Sequence, residues 1–350
     1  MSAVMAPPAP TYRARHGDVE GDRETVLSIW RGNLGDDARM ARKYNWFYQH
    51  ADAGAPLLEL LTANGQDVGA CTAGRRRMLR DGKPMRGGVL VDLAVIPEHR
   101  SLGPAMILQQ ALAATAHDEL DLLYGFPNPK AVPVFKRIGY RPLGDLVRYV
   151  RVLRHGAYLA RHIPAFLAKP TGVLADAWMR LRDALVGTGS RQLRATWSDH
   201  VDPDTQALWD NSTKPDGIVG LRDLAHLRWR FDATPEGGFK HLLLRDRQTG
   251  SLVAWFATRA EGTTLHVHDY WSLHGPAIGT GSLTALLKAA RAGGYGAVSV
   301  ELATEANHLA PWLALNFAER SARPIFGYWD KDVLGDVPGD LHLTAADEDE

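Results

Sequence analysis

Apolar and polar residues alternate along the first 154 residues in a way that is typical of a domain built from strands and helices. Runs of period two bounded by turn residues predict strands, and Asn64-Gly65 between two of them predicts a tight hairpin. Apolar residues spaced three and four apart predict helices. The predicted strands are residues 12–15, 57–63, 68–74, 88–96, 120–125 and 148–153. The predicted helices are residues 22–31, 36–49 and the segments that follow Ala105 and Asn128.

The second half of the chain repeats this order of elements. Its predicted strands are residues 239–246, 251–258, 264–271, 297–302 and 323–329, with helices at 282–292 and 307–315. The order matches that of residues 89–150 without clear identity, which indicates a degenerate internal duplication. We therefore expect a mixed α/β (α+β) fold with two tandem domains, residues 12–154 and 196–330. Each should have a mixed, mostly antiparallel central sheet flanked by helices.

Three segments lie outside these two units. Residues 1–11 are rich in proline, which predicts a disordered lead. Residues 155–195 predict a helical connector whose apolar stripe packs on a core. Because residues 155–194 carry an excess of four positive charges, a helix on a membrane surface is the alternative. Residues 331–350 contain seven acidic residues and one lysine, which predicts a mobile, solvated tail.

Composition narrows the classes of function. A chain of 350 residues fits two domains. Forty Lys and Arg residues balance forty Asp and Glu residues, so the chain lacks the basic field of a nucleic-acid-binding protein. One cysteine, Cys71, excludes an internal disulfide framework and a Cys-based zinc site. Because neither a long apolar run nor a signal-peptide pattern is found, we expect a cytoplasmic protein.

The most informative segment is the strand at residues 88–96 and the loop behind it. After the turn Val95-Ile96-Pro97, the loop contains Arg100, Gly103 and Ala105 and leads directly into a helix. Backbone N–H groups and the positive end of the helix dipole favour a phosphate at such a helix N-terminus. Arg100 adds a full positive charge. The next helix opens at Asn128 and is followed by Gly139-Tyr140.

These two motifs, in this order and spacing, resemble those of the GNAT superfamily of CoA-dependent N-acyltransferases, over residues 12–154. The resemblance implies two tandem GNAT-like domains, with acetyl-CoA as the co-substrate and direct transfer of its acyl group to an amine. It places Arg100 at the rim of the phosphate site and Asn128 and Phe135 beside the cofactor. The other implied contacts are backbone groups: Leu93, Ala94 and Val95 along the pantetheine arm and thioester, and Ser101, Leu102, Gly103 and Ala105 at the pyrophosphate.

The catalytic residues are less completely specified. Many family members use a tyrosine in the second-motif helix to protonate the leaving thiolate, but the matching position here is Phe135. The thiolate therefore leaves unaided, or Tyr124 or Tyr140 replaces the missing acid. Asp92 interrupts an apolar strand, where a carboxylate is costly unless it is paired or used, so it is the candidate general base. A structural Asp bonded to the backbone or to an Arg is the alternative.

The acceptor site is expected at the aromatic run 44–48, because related enzymes build that pocket from the helix pair after the first strand. Adjacent aromatic residues cannot all face inward on a helix, so Trp46 and Tyr48 are predicted to contact the acceptor, with a core stripe as the alternative. His268 is predicted to contact the acceptor or to form a structural pair with His266 on one strand face. No third ligand at suitable spacing supports a metal there.

Three hypotheses for the function follow. The first is an N-acyltransferase, with N-acetyl transfer as its expected form, that acts on a small molecule such as an amino sugar. The second is a Fem-type aminoacyl-tRNA-dependent transferase, which also doubles this fold but would need a basic groove for tRNA. The third is a non-catalytic acyl-CoA-binding module, which Phe135 favours. For the first hypothesis the expected partner is a small-molecule amine, without metal, nucleic acid or membrane association, and a homodimer is left open.

Overall fold

A computed structural model describes residues 10–129, 131–156, 165–335, 337 and 341–348 of the chain. Most of the predicted disordered lead, residues 1–9, therefore lies outside the described residues. The fold is mixed α/β, as predicted, with helices packed on a sheet of 14 strands in the described part of the chain. The strands are β1 (Tyr12–His16), β2 (Leu57–Ala63), β3 (Gln66–Arg80), β4 (Lys83–Val95), β5 (Leu122–Gly125), β6 (Arg141–Val152), β7 (Leu193–Ser198), β8 (Ile218–Gly220), β9 (Phe239–Asp246), β10 (Leu252–Glu261), β11 (Thr264–Ser272), β12 (Ala297–Ala303), β13 (Ala318–Tyr328) and β14 (Leu341–Thr344). The α-helices are α1 (Arg23–Trp30), α2 (Asp37–Lys43), α3 (Leu102–Glu119), α4 (Val132–Ile138), α5 (Ala165–Val186), α6 (Asp204–Asn211), α7 (Leu224–Leu227), α8 (Thr280–Ala292), α9 (Ala306–Ala314) and α10 (Lys331–Leu334).

The two halves of the chain exchange their last strands. The sheet order is β1-β2-β3-β4-β5-β13-β6-β12-β11-β10-β9-β7. Thus β13, from the second half, pairs with β5 of the first half, and β6, from the first half, pairs with β12 of the second. Between them β6 and β13 pair with each other in antiparallel orientation. Because each half completes the sheet of the other, neither half has its full set of strands alone.

A second connection joins the halves away from this seam. Strand β14 pairs with β12 and with β8, and β8 pairs with β3. The strands from β3 through β13 to β12 are therefore closed into a ring by β14 and β8. Apolar residues that include Met78, Leu146, Ile325 and Leu343 are buried together in one core cluster of the ring.

The prediction of a mobile, solvated tail is wrong for the described part of residues 331–350. Leu341 and Leu343 are buried in β14, and Asp347 accepts a hydrogen bond from the Arg222 guanidinium at 2.8 Å. The same guanidinium donates from Nε to both carboxylate oxygens of Asp269 at 3.0 Å. The number of acidic residues was misleading because a carboxylate with a buried arginine partner can itself be buried.

The hairpin turns follow from backbone conformations that few residues adopt. Asn64 (φ 50°) and Gly65 (φ 86°) both lie in the left-handed region, which confirms the predicted tight turn between β2 and β3. A second hairpin, at Asp81 (φ 51°) and Gly82 (φ 73°), joins β3 to β4 and was not predicted. Its strands contain several arginines that hid the apolar alternation. One of them, Arg77, is held there by carboxylate partners on two other segments of the chain.

Over residues 171–186, whose side chains the structure describes, the connector helix α5 does not turn its apolar stripe toward a core, so that prediction is wrong there. Its inward face carries Gly172 and Asp183, which are buried. Asp183 accepts hydrogen bonds from Arg151 on β6 and from Arg291 on α8. Over residues 171–186 the helix is therefore attached through ion pairs and a close backbone approach, and Leu174, Trp178, Leu181 and Leu185 are exposed. Residues 157–164 of the predicted connector lie outside the described residues.

Replacing Arg222 by alanine should lower the free energy of unfolding by about 3–5 kcal/mol, because Asp269 and Asp347 would stay buried without their common cation. The measurement is urea denaturation of the full chain. Arg86→Ala is the matched control, since Arg86 pairs with Asp121 but its side chain is 61% exposed. That change should cost less than about 1 kcal/mol. Equal losses in the two variants would contradict the structural role given to the Arg222 network.

Candidate functional site

The site forms where the edge of β4 separates from β5. The two strands pair in parallel only between Gly87–Val89 of β4 and Leu122–Tyr124 of β5, whereas β4 continues to Val95. The other edge of β4 pairs with β3 along most of its length. Backbone groups at residues 93–95 therefore face an opening between the strands, and an extended ligand can bind there as an added strand does.

A β-bulge lies at the start of this opening. Thr72 of β3 pairs with Val91, and Ala70 pairs with Ala94, so two residues of β4 oppose Cys71. The bulged residue Asp92 has a φ of 52°, a left-handed conformation that is uncommon outside glycine. Bulges commonly re-aim side chains beside functional sites, and this one turns Asp92 toward the helical segment after α2.

The predicted phosphate loop lies directly behind the opening. Helix α3 begins at Leu102, and the side chain of the extended N-cap residue Ser101 makes no capping hydrogen bond. The first-turn N–H groups of an α-helix have no partner within the helix, so those of the exposed residues Leu102 and Gly103 can bind an anion. A Cβ built on Gly103 meets no atom within 4 Å, so the fold itself does not require glycine there.

These segments enclose a cleft of about 270 Å³. It brings together six of the residues predicted to bind the cofactor: Leu93, Ala94, Val95, Arg100, Ser101 and Ala105. Asn33 and Leu34, from the loop after α1, also line the cleft and were not predicted. Asn33 accepts a hydrogen bond from the Arg100 guanidinium, which fixes that cation at the rim. No sequence signal indicates the two loop residues, because only the tertiary fold brings them to the cleft.

Asp92 is paired rather than free. Its carboxylate accepts a hydrogen bond from the Lys43 ammonium at 2.8 Å and another from the Tyr48 hydroxyl at 2.9 Å. The Tyr48 hydroxyl forms a second hydrogen bond with Thr72, also at 2.9 Å. Burial, and then the Asp92 charge, raise the pKa of Tyr48 well above its usual value, so this hydroxyl stays protonated. The structure therefore shows Asp92 as a paired carboxylate, which was the alternative to its role as a general base. Its cationic partner is a lysine instead of the expected arginine.

The two tyrosines considered as general acids lie outside the cleft. Tyr124 is buried, and its hydroxyl donates to the backbone carbonyl of Asp347 at 2.8 Å. Tyr140 is buried with its ring 4.8 Å from that of Phe135. Burial raises the pKa of both hydroxyls. Asn128 is exposed and caps the turn before α4 by accepting from the Ala131 N–H at 3.1 Å, so Asn128 and Phe135 do not line the cleft either.

Trp46 and Tyr48 are both buried, so the prediction that some of these adjacent aromatic residues lie outside the core is wrong here. They lie in a π-helix, Tyr44–Gln49, in which Tyr44, Trp46, Phe47 and Tyr48 are all buried. The indole of Trp46 stacks on that of Trp229, with ring centroids 4.8 Å apart. Each indole N–H donates to the backbone carbonyl of the other tryptophan. The outer side of the π-helix is thus covered by the second half of the chain.

His268 belongs to a different part of the molecule. It lines a polar cavity of about 270 Å³ where β6 joins the strands of the second half, together with His266 and Arg148. Neither ring nitrogen of His268 has a hydrogen-bond partner among the described residues. Burial, then Arg230 and Arg259, lower the pKa of His268 to about 3, so the imidazole is neutral. Within the described ranges, no group of three or more His, Cys, Asp or Glu side chains is placed to hold a metal ion.

Comparison with known proteins establishes the fold. No family model and no curated protein matches the chain. It is similar to solved structures of GCN5-related N-acetyltransferases from Anabaena variabilis (TM-score 0.61, 11% identity, 91% of this chain and 73% of that one) and Kribbella flavida (TM-score 0.59, 11% identity, 91% and 71%). It is also similar to a tandem GNAT protein from the clavulanic acid biosynthesis pathway (TM-score 0.51, 16% identity, 91% and 98%). At these identities the shared property is the fold: the chain has the GNAT fold, and the predicted resemblance is confirmed at that level.

No helix in the described ranges is long and apolar enough to cross a membrane.

The buried histidines should make the fold sensitive to mild acid. The pKa of His241 is lowered to about 4 and that of His342 well below its usual value, in both cases chiefly by burial, like that of His268. As the pH falls below about 6.5, the unfolded chain binds these protons first, so stability is lost. Replacing His268 by glutamine should make the free energy of unfolding less dependent on pH. Between about pH 6 and 5 its slope should fall by about 1 kcal/mol per pH unit. The exposed His274→Gln is the control for urea denaturation, and an unchanged slope in the His268 variant would contradict the neutral state of the buried imidazole.

Proposed function

We propose that the protein is an acyl-CoA-dependent N-acyltransferase, with N-acetyl transfer as its expected reaction, built from two GNAT-like domains in tandem. The observation that carries the proposal is the cleft between residues 93–95 and the N-terminus of α3. Its acceptor is proposed to be the amine of a small molecule such as an amino sugar. One solved structure of similar fold (TM-score 0.54, 12% identity) is a glucosamine N-acetyltransferase region of a fungal β-N-acetylglucosaminidase, which supports that substrate class.

The cleft fits the two ends of an acyl-CoA. The pyrophosphate would bind at the first turn of α3, where Leu102 and Gly103 present N–H groups and Arg100 supplies a cation. The N–H of Ala105 bonds to the N-cap carbonyl of Ser101, so this residue would contribute to the cleft wall instead. Pro104 contributes no N–H, but it is well placed in a first helical turn. The pantetheine arm would add to the free edge of β4 at residues 93–95, which directs the thioester toward the bulge at Asp92.

The chemistry would be direct transfer. The amine nitrogen forms a bond to the thioester carbonyl carbon, the C–S bond breaks, and CoA leaves as a thiolate. The proton lost by the amine passes to a base, for which Asp92 is proposed, through a water molecule. Lys43 and Tyr48 hold that carboxylate in place. Positioning and polar groups aimed at the oxyanion would supply most of the acceleration, because a thiolate is a tolerable leaving group.

A non-catalytic acyl-CoA-binding module is the second candidate. The observation that favours it concerns the general acid for the leaving thiolate. Phe135 stands at the position of the usual tyrosine, and the two other candidates, Tyr124 and Tyr140, lie outside the cleft. The pairing of Asp92 with Lys43 points the same way. Both candidates require CoA to bind in the cleft, and they differ in whether CoA is released when an amine is added.

CoA binding is tested by changing the loop without changing the fold. Gly103→Val should weaken CoA affinity about tenfold or more, because the new side chain would project from the first turn of α3 toward the proposed pyrophosphate, while the fold leaves room for it. Arg100→Ala should weaken it by a similar factor through loss of a charge-assisted hydrogen bond. Isothermal titration calorimetry measures both. The exposed Arg13→Ala is the control and should bind normally, and wild-type affinity in the Gly103 variant would refute the assigned site.

Catalysis is tested at Asp92. If it is the base, Asp92→Asn should lower kcat about 100-fold or more with little change in CoA affinity. The rate is measured as release of the CoA thiol from acetyl-CoA with a panel of amines that includes glucosamine. The variant leaves Lys43 buried without its carboxylate, so Lys43→Met/Asp92→Asn is the companion that restores a neutral pair. Recovered stability without recovered kcat supports a catalytic role. If the wild type releases no CoA with any amine while still binding it, the binding-module candidate stands instead.

A further inference from the structure

Helix α5 exposes an apolar stripe along its outer face. Leu174, Trp178, Leu181 and Leu185 are 71%, 61%, 61% and 69% exposed, respectively. Their spacing of four, three and four residues places them on one face of the helix, as in the seam of a coiled coil. Large apolar side chains on a helix normally pack against a core, so an exposed row of four indicates a surface that another molecule covers.

The opposite face of α5 fixes this orientation. Gly172 is buried where a Cβ would meet the backbone of Gly156 at 2.5 Å, so no larger residue fits there. Asp176 accepts hydrogen bonds from the backbone N–H and ring of His155 at 3.0 and 2.6 Å. Asp183 pairs with Arg151 and Arg291. Rotating the helix to bury the stripe would break all of these contacts, so the exposed stripe is a property of the fold.

We propose that this stripe is the contact of a homodimer, in which α5 packs antiparallel on α5 of a second copy of the chain. A two-fold axis between residues 179 and 180 sets Leu174 against Leu185 of the other copy. It also sets Trp178 against Leu181 of the other copy. Because the spacing reads the same in both directions, every apolar residue of the stripe meets another one, as a self-complementary interface requires.

The charges of α5 fit a second copy better than a membrane surface. Residues 171–186 contain two arginines and two aspartates, and both aspartates face inward. In the antiparallel register, Arg180 lies opposite Met179 of the other copy and Arg182 opposite Ala177, so like charges do not meet. A helix that binds an anionic bilayer is rich in Lys and Arg along its polar face, whereas residues 171–186 offer two such side chains, Arg180 and Arg182.

The stripe supplies about half of the surface that a stable dimer buries, so its neighbours must supply the rest. The four side chains expose roughly 300–400 Å² per copy, about half of the ~800 Å² per partner in a stable interface. Arg182 donates to the backbone carbonyl of Ala314 at 3.1 Å, which places the end of α9 beside the stripe. The adjacent Leu313 is 47% exposed and enlarges the apolar surface. Polar neighbours along the two crossing helices supply the rim.

The assembly is tested by sedimentation velocity of the full chain. The wild type should sediment as a dimer at micromolar concentration. Leu181→Glu should raise the dissociation constant about 100-fold or more, because the new carboxylate would lie against Trp178 of the second copy. Leu181→Met, which keeps an apolar contact, and Trp197→Glu, a half-exposed tryptophan outside the stripe, should both remain dimeric. A wild type that is monomeric throughout, or a Leu181→Glu variant that remains dimeric, would overturn the proposal.

The orientation of the two helices is tested by disulfide formation. Cys71 is buried, so introduced cysteines can be oxidised without interference from it. A mixture of Leu174→Cys and Leu185→Cys chains should form the mixed disulfide, whereas Leu174→Cys alone should not, because its two copies would be about 16 Å apart along the helices. Disulfides between identical Leu174→Cys chains would rule out the antiparallel register. A monomer whose stripe binds phosphatidylcholine/phosphatidylglycerol vesicles, with binding lost in Leu181→Glu, would overturn the dimer in favour of a membrane surface.

Discussion

The pairing of β6 with β13 at the centre of the sheet holds the whole molecule together. These two strands come from different halves of the chain, and each continues into the sheet of the other half. Because a strand that loses its partner leaves its backbone N–H and C=O groups unsatisfied, neither half can move away without breaking a ladder of hydrogen bonds. The β8–β14 connection and the stacked pair Trp46–Trp229 fix the same relationship from other sides. A rigid frame of this kind can hold a binding cleft in one geometry.

That frame determines the position of the candidate site. Pairing with β3 anchors one edge of β4, while the other edge is free beyond Val89, so the backbone groups after the bulge face an opening. Helix α3 begins at the end of the same opening, where its dipole and unsatisfied N–H groups favour an anion. The Lys43–Asp92–Tyr48 cluster is fixed behind the bulge by burial. The glycine loop of the second half, residues 275–281, contains no Arg or Lys that could act as Arg100 does. An acyl-CoA is therefore proposed only for the first half.

The sequence predicted those features that depend on local chemistry. The turn at Asn64-Gly65 requires left-handed conformations that these residues adopt easily, and the loop from Arg100 to Ala105 leads into its helix as expected. Features that depend on distant contacts could not be derived. The burial of Trp46 depends on Trp229, and the burial of the acidic tail depends on Arg222. The contribution of Asn33 to the cleft depends on the packing of the loop after α1. Strand exchange leaves no local signal at all, because β6 and β13 have the same pattern whichever half they complete.

The central claim is that the backbone around Gly103 binds the pyrophosphate of an acyl-CoA. Hydrogen exchange followed by mass spectrometry, with and without CoA, tests it most directly because it reports on the amides themselves. Residues 93–105 should become protected when CoA binds, while the glycine loop at residues 275–281 should exchange as before. Protection of the second loop instead, or no protection at residues 93–105 under conditions where CoA is bound, would contradict the claim.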